Sequence, residues 1–129
     1  MATTPIDPAD LLPLTPAVFH VLLALVDGER HGYAIMLEVA ESTGGRIKMG
    51  PGTLYGTIKR LVESRMIEES DQRPDPELDD ERRRYYRLSA LGQRVVKAEA
   101  LRYAETAEAA RRKRLIGRPA RPAHAGGSR

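Results

Sequence analysis

The stretch MGPGTLYGTIKRL, Met49 to Leu61, gathers small residues, hydroxyls, a phenol and two cations within thirteen positions. Apolar residues fall at Leu54, Ile58, Leu61 and Val62, which is one face of a helix. The other face carries Thr53, Gly56, Thr57, Lys59 and Arg60, with two glycines, Gly52 and Gly56, in its first turns. These types suit a nucleic-acid phosphate. The first backbone N–H groups of a helix have no internal partner and the helix dipole is positive there, so an anion is welcome if no side chain holds it away. Gly50, Gly52 and Gly56 leave that approach open, and Thr53 and Thr57 are short donors. Lys59 and Arg60 reach phosphates or guanine acceptors, and Arg46 and Lys48 add charge just ahead of the helix.

A Gly-rich start followed by Lys-Arg also occurs on ordinary solvated helices, so the neighbouring elements decide. Two enzymatic readings fail on spacing. A dinucleotide fingerprint needs glycine where Tyr55 stands, and a phosphate-binding loop needs Lys-Ser or Lys-Thr where Thr57-Ile58 follow Gly56. No nucleophile, base or metal constellation suggests an enzyme, and no cofactor is implied. His20 reads as a satisfied core residue, His31 as a structural residue at a helix start, and His124 belongs to the tail. With no cysteine and no acid paired to a histidine, no metal site is expected.

Thr15-Pro16 is an N-cap followed by proline at the first helical position. The helix behind it, to about Val26, is apolar almost all round and should be buried. A second helix is expected from His31 to Thr43, with Tyr33, Met36, Leu37 and Ala40 on one side and Gly44-Gly45 as its C-terminal cap. The quoted segment then forms a third helix from about Pro51 to Arg65. Met66–Glu69 and Arg84–Leu88 read as two strands, the latter with Tyr86 and Leu88 on one face and Tyr85 and Arg87 on the other. Asp71–Arg83 between them is a polar loop. Ser89 caps a long helix to about Arg114, in which Gly92 is a mild weakness.

The fold class is therefore mainly α with a small β-hairpin: a winged helix-turn-helix plus a long C-terminal dimerisation helix. Residues 1–14 form a flexible, extended arm, 15–88 the DNA-binding domain, 89–114 the dimerisation helix and 115–129 a disordered basic tail. In such a domain the third helix enters the major groove and the hairpin loop lies alongside.

Charge is unevenly distributed along the 129 residues. Residues 111–129 hold seven of the 21 cations and no acid, which leaves 14 cations against 18 acids for residues 1–110, a balance of −4. The basic pI thus comes from the tail. The tail is either a solubilising end or a phosphate-binding arm. No run is long and apolar enough for a bilayer, and MATTPIDPAD lacks a secretory pattern, so a cytoplasmic protein without membrane contact is expected.

HGYAI at 31–35, GTLYGTIKRL at 52–61 and RRYYRLSALGQ at 83–93 resemble the PadR-like transcriptional regulators, over roughly residues 15–110. The resemblance implies a winged-helix repressor that dimerises through its last helix and releases double-stranded DNA when a small molecule binds or conditions change. It places Tyr55 near the DNA backbone and Tyr86 under the wing. Gly56 replaces the family's proline, and Arg65 stands where a helix-ending glycine is usual. The wing is acidic, so Arg82, Arg83, Arg84 and Arg87 at its base are better DNA contacts than its tip, unless they neutralise Asp79, Asp80 and Glu81.

The last helix offers Val96, Leu101, Tyr103 and Ala107 as a homodimer seam. A small aromatic effector would fit between Val18, Phe19 and Leu22 of one subunit and Tyr103 of the other, unless those side chains close the core. The expected function is a repressor binding a pseudo-palindromic operator as a homodimer. The alternatives are a winged-helix protein-interaction module, favoured by the acidic wing, and a non-specific nucleic-acid binder resting on the tail.

Overall fold

The computed structural model describes residues 6–70 and 84–118. Its elements are helix α1 (Pro16–Ala24), strand β1 (Arg30–His31), helices α2 (Gly32–Ser42) and α3 (Pro51–Glu63), strands β2 (Ile67–Ser70) and β3 (Tyr85–Leu88), and helix α4 (Ala90–Arg112). The expected loop Asp71–Arg83, with Arg83 itself, and the tail beyond residue 118 lie outside the described residues. The chain divides into two units, Met1–Glu99 and Ala100–Arg129.

In the first unit α1 begins as expected. Thr15 Oγ1 accepts the Val18 N–H at 3.2 Å and Pro16 occupies the first turn. Val21, Leu22, Ile35, Val39, Leu54, Ile67 and Val95 form the centre of the core. Each such side chain removed from water contributes about 1.5–3 kcal/mol, which is what ties these short elements together. The end of α1 and the turn after it are less buried than their composition suggests: Leu23 and Val26 are exposed. In α2 the buried face is Ile35 and Val39 with Met36 beside them, while Tyr33 and Leu37 face solvent, so the expected apolar side was turned by roughly a third of the helix.

The sheet has three antiparallel strands in the order β1-β3-β2, one more than expected. Arg30 pairs with Tyr86 and His31 with Tyr85, while Ile67 pairs with Leu88 and Ser70 with Tyr85. Tyr85 and Tyr86 are consequently both buried, because β3 is the central strand and Tyr85 meets the His31 ring edge-on at 5.4 Å.

The expected flexible arm is partly a docked segment. Pro8–Leu11 forms a 3-10 turn capped by Asp7, and Leu11, Leu12 and Leu14 pack against the core. The Leu14 N–H donates to Glu99 Oε2 at 2.9 Å, and Glu99 is wholly buried. A buried carboxylate is costly unless it accepts such bonds. Sequence reasoning gave Glu99 no role.

Helix α4 starts where expected. Ser89 Oγ accepts the Gly92 N–H at 2.9 Å and donates to the Arg65 carbonyl at 2.6 Å. Gly92 is not a mild weakness but a necessity: a Cβ there would overlap the Met66 carbonyl oxygen. The second unit carries the helix on to Arg112, with Leu101 and Tyr103 exposed.

A candidate nucleic-acid interface

The start of α3 is as bare as its sequence. Gly50 is the N-cap in extended conformation and supplies no side-chain bond; Pro51 follows and has no N–H. The Leu54 N–H is already taken by the Gly50 carbonyl at 2.9 Å. That leaves the Gly52 and Thr53 N–H groups as the helix-end donors. A Cβ at Gly50 or Gly52 would meet nothing within 4 Å, and neither glycine has a positive φ. Neither packing nor backbone geometry therefore requires glycine at these two positions. Near this end Arg46, Lys48, Thr53 and Tyr55 are exposed, and Lys59 and Arg60 are exposed further along α3, Arg60 in its last turn.

Thr57 does not belong with them. It is buried, and its hydroxyl donates to the Thr53 carbonyl at 2.9 Å. That back-bond satisfies the hydroxyl inside the fold and lets Thr57 share the inner stripe with Leu54, Ile58 and Leu61. Val62, expected inside, is exposed instead. Arg60 Nη2 lies 3.4 Å from Thr57 Oγ1 on its way to the surface.

Tyr55 is half exposed, yet its ring rests on the start of α2. A Cβ at Gly32 would come within 2.5 Å of the Tyr55 hydroxyl oxygen. Gly32 thus makes room for Tyr55, which explains why the glycine of HGYAI and the tyrosine of GTLYG belong to one device. His31 caps the same helix, its Nδ1 accepting the Ala34 N–H at 3.2 Å. Burial raises the Tyr86 phenol pKa, and Glu69 and the Tyr55 phenol push it the same way, against Arg84.

At the wing stem Arg84 pairs with Glu69 at 3.7 Å and Arg87 with Glu68 at 2.8 Å. Among the described residues the acid that meets Arg84 is on β2, while Asp79, Asp80 and Glu81 lie outside them. Both Arg84 and Glu69 are well exposed, and such pairs contribute only about 0–1 kcal/mol, so Arg84 is not locked away from a phosphate.

The expected effector and dimer residues are redistributed. Leu22 is fully buried and Phe19 nearly so, both in the core of their own chain, so neither lines an open cleft. Val18 is partly buried against that core, and Tyr103 is exposed. A hollow of about 570 Å³ lies elsewhere, lined by His20, Ser42, Thr43, Gly44, Arg46 and Ile47. His20 is not the satisfied core residue expected: its Nδ1 is buried with no hydrogen-bond partner among the described residues. Val96 is buried in the core of its own chain, whereas Leu101 and Tyr103 are exposed and Ala107 is half-buried. Among the described residues no group of three or more His, Asp or Glu could hold a metal ion, and no helix is long and apolar enough to cross a membrane.

Three helices, a hairpin on a three-stranded sheet and a bare-fronted third helix define a winged helix-turn-helix protein. The profile of the Transcriptional regulator PadR-like family matches residues 21–98. The chain belongs to that family. RosR of H. salinarum has a similar structure, at 28% identity and TM-score 0.58, with 79% of this chain and 86% of that one covered. A PadR-like transcription factor from Bacteroides fragilis shares the fold at 19% identity and TM-score 0.58, covering 74% and 87%. An uncharacterised 37.1 kDa protein of transposon Tn4556 from Streptomyces fradiae is 34% identical over 80 residues, 62% of this chain. The chain spans only 21% of that relative's length.

Proposed function

We propose that this regulator is a repressor that binds double-stranded DNA as a homodimer, through α3 in the major groove of each half of a pseudo-palindromic operator. The observation that carries the reading is the start of α3: two helix-end N–H donors, no side-chain cap, and glycines at 50 and 52 that the fold itself does not need. Helix ends of this kind accept phosphate, and Lys48, Thr53, Tyr55, Lys59, Arg60 and Arg84 are all exposed to make further contacts. Such a protein acts beside the chromosome, so its place is the cytoplasm, and it catalyses no reaction.

The test is selection of bound fragments from a random duplex library, followed by titration of variants on the selected site. Lys59→Ala or Arg60→Ala should weaken binding by about 1–3 kcal/mol and relax preference at one position where the contact is to a base. Where it is to phosphate, all sequences should weaken alike. Unchanged affinity in both variants removes α3 from the interface.

The homodimer seam we assign to α4. Counting from Val95 and Glu99 in helical steps reaches Tyr103, Thr106 and Ala110, whereas Leu101 lies across the helix from Tyr103. Leu101→Asp with Tyr103→Asp should give monomers by sedimentation, and the two single variants tell which face is the seam. A double variant that stays dimeric rules α4 out. For a small aromatic effector, Val18 and Tyr103 remain as its contacts, Phe19 and Leu22 being sealed in the core.

A further inference from the structure

Helix α4 does not simply fray after Arg112. The Leu115 N–H donates to the Ala110 carbonyl at 2.9 Å and the Arg114 N–H to the Arg111 carbonyl at 2.9 Å. Arg114 between them has φ 64. This is the left-handed reversal that glycine usually provides, and for arginine the conformation is costly. Arg111 then fastens the returning chain: its Nε donates to the Gly117 carbonyl at 3.1 Å and its Nη1 to Glu108 at 3.1 Å. Beside the reversal lies an open, shallow hollow of about 620 Å³ whose lining includes Arg111, Arg112, Arg114 and Arg118. Glu108 is the one acid on that lining, and Arg111 already pairs with it.

We propose that this hollow is a second DNA contact, an arginine site that grips phosphodiester groups without reading sequence. Cations near a helix C-terminus complement its dipole, and this accounts for Arg111 and Arg112. It does not account for Arg114, which occupies a position where glycine costs less, nor for Arg118 beyond the helix. Guanidinium groups match phosphate oxygens in bidentate geometry, and several around one hollow suit a polyanion rather than a single carboxylate. There is also a need for such a site. Residues 1–110 carry a balance of −4 and so repel DNA at long range, whereas 111–118 hold five cations and no acid. In this arrangement α3 supplies the sequence preference and the end of α4 supplies attraction.

The inference rests on the DNA-binding reading above, and the experiment separates the two. Full-length wild type, the triple variant Arg112→Gln/Arg114→Gln/Arg118→Gln and the pair Lys59→Ala/Arg60→Ala are each titrated with a random-sequence 30-bp duplex and with the selected site, between about 50 and 200 mM KCl. Each lost phosphate contact lowers the slope of log K against log salt by about 0.9, so the triple variant should lose about 40-fold less affinity than wild type over that range. Its preference for the selected site should be unchanged. Arg114→Gly, which removes one cation while relaxing the backbone, should lower the slope by about 0.9 with folding intact. A triple variant with the wild-type slope overturns the inference while leaving the α3 reading standing. A lowered slope in the triple variant with no effect of Lys59→Ala/Arg60→Ala overturns the α3 reading and keeps this one. Leu115 and Ile116 are exposed beside the hollow, so phosphatidylglycerol vesicles are the third arm. Vesicle binding that needs these arginines, with an unchanged DNA slope, also overturns the inference.

Discussion

The starts of α3 and α4 are built on opposite principles. At α4 the Ser89 hydroxyl caps the helix, and Gly92 lies so close to the Met66 carbonyl that no side chain fits. At α3 no side chain caps the helix, and Gly50 and Gly52 face open space. The first start is complete within the chain. The second has unpartnered donors and unused room, as expected of a surface shaped for something outside the chain. A glycine in a sequence is therefore ambiguous until its surroundings are known: one with no room for Cβ serves the fold, and one with open space and ordinary φ serves neither packing nor backbone.

The same substitution at the two starts should have opposite signs. Gly92→Ala must displace backbone, which neighbouring side chains cannot relieve, and the loss of stability should be on the order of 3 kcal/mol. Thermal or urea unfolding measures it directly. A Gly92→Ala protein with wild-type stability would mean that β2 and the start of α4 can move apart, and the contrast would lose one side.

Gly52→Ala tests the other side with a smaller effect on folding. The position is helical and the added methyl meets nothing, so stability should rise by about 0.5–1 kcal/mol through the alanine preference for helix. DNA affinity should fall at the same time, because the methyl stands beside the helix-end N–H groups that the phosphate needs. A gain in stability with unchanged affinity would show that the bareness of α3 is not used by DNA.

Much of this contrast was legible in the sequence, and the parts that were not share a cause. The Thr15 and Ser89 caps and the bare GPG start are local, and all sit where expected. β1 was missed because two residues, Arg30 and His31, carry no alternation, and their pairing with Tyr86 and Tyr85 spans more than fifty residues. Glu99 was missed because its partner, the Leu14 N–H, lies 85 residues away. Thr57 was placed outside because its hydroxyl reads as polar, although three steps from Leu54 and four from Leu61 put it on the inner stripe. Val96 falls into the core for the same reason of period, four steps past Gly92 and three before Glu99, both buried. Fit at Gly32 and Gly92 depends on what another element places against them, and no local pattern records that.

The smallest expected effect concerns how α3 ends. Helix α2 closes through Gly44 at φ 61, with the Gly45 N–H on the Ala40 carbonyl at 2.7 Å. Helix α3 closes by the same turn through Arg65 at φ 64, with the Met66 N–H on the Leu61 carbonyl at 3.0 Å. The arginine thus takes the conformation that glycine takes at the end of α2, and accepts the strain. That conformation costs an ordinary residue about 1–2 kcal/mol, and glycine returns about 0.5–1 kcal/mol of this as chain entropy lost on folding. Arg65→Gly should therefore stabilise the protein by about 0.5–1 kcal/mol, read as a higher urea midpoint at unchanged slope. The turn itself should survive, since Ser89 Oγ holds the Arg65 carbonyl at 2.6 Å whatever the side chain. Arg65 lies beyond α3, at the opposite end from the bare start, so DNA affinity should hold in Arg65→Gly while Gly52→Ala lowers it. A stabilised Arg65→Gly protein that binds DNA much more weakly would extend the interface along the whole helix and end the division between a working front and a structural end.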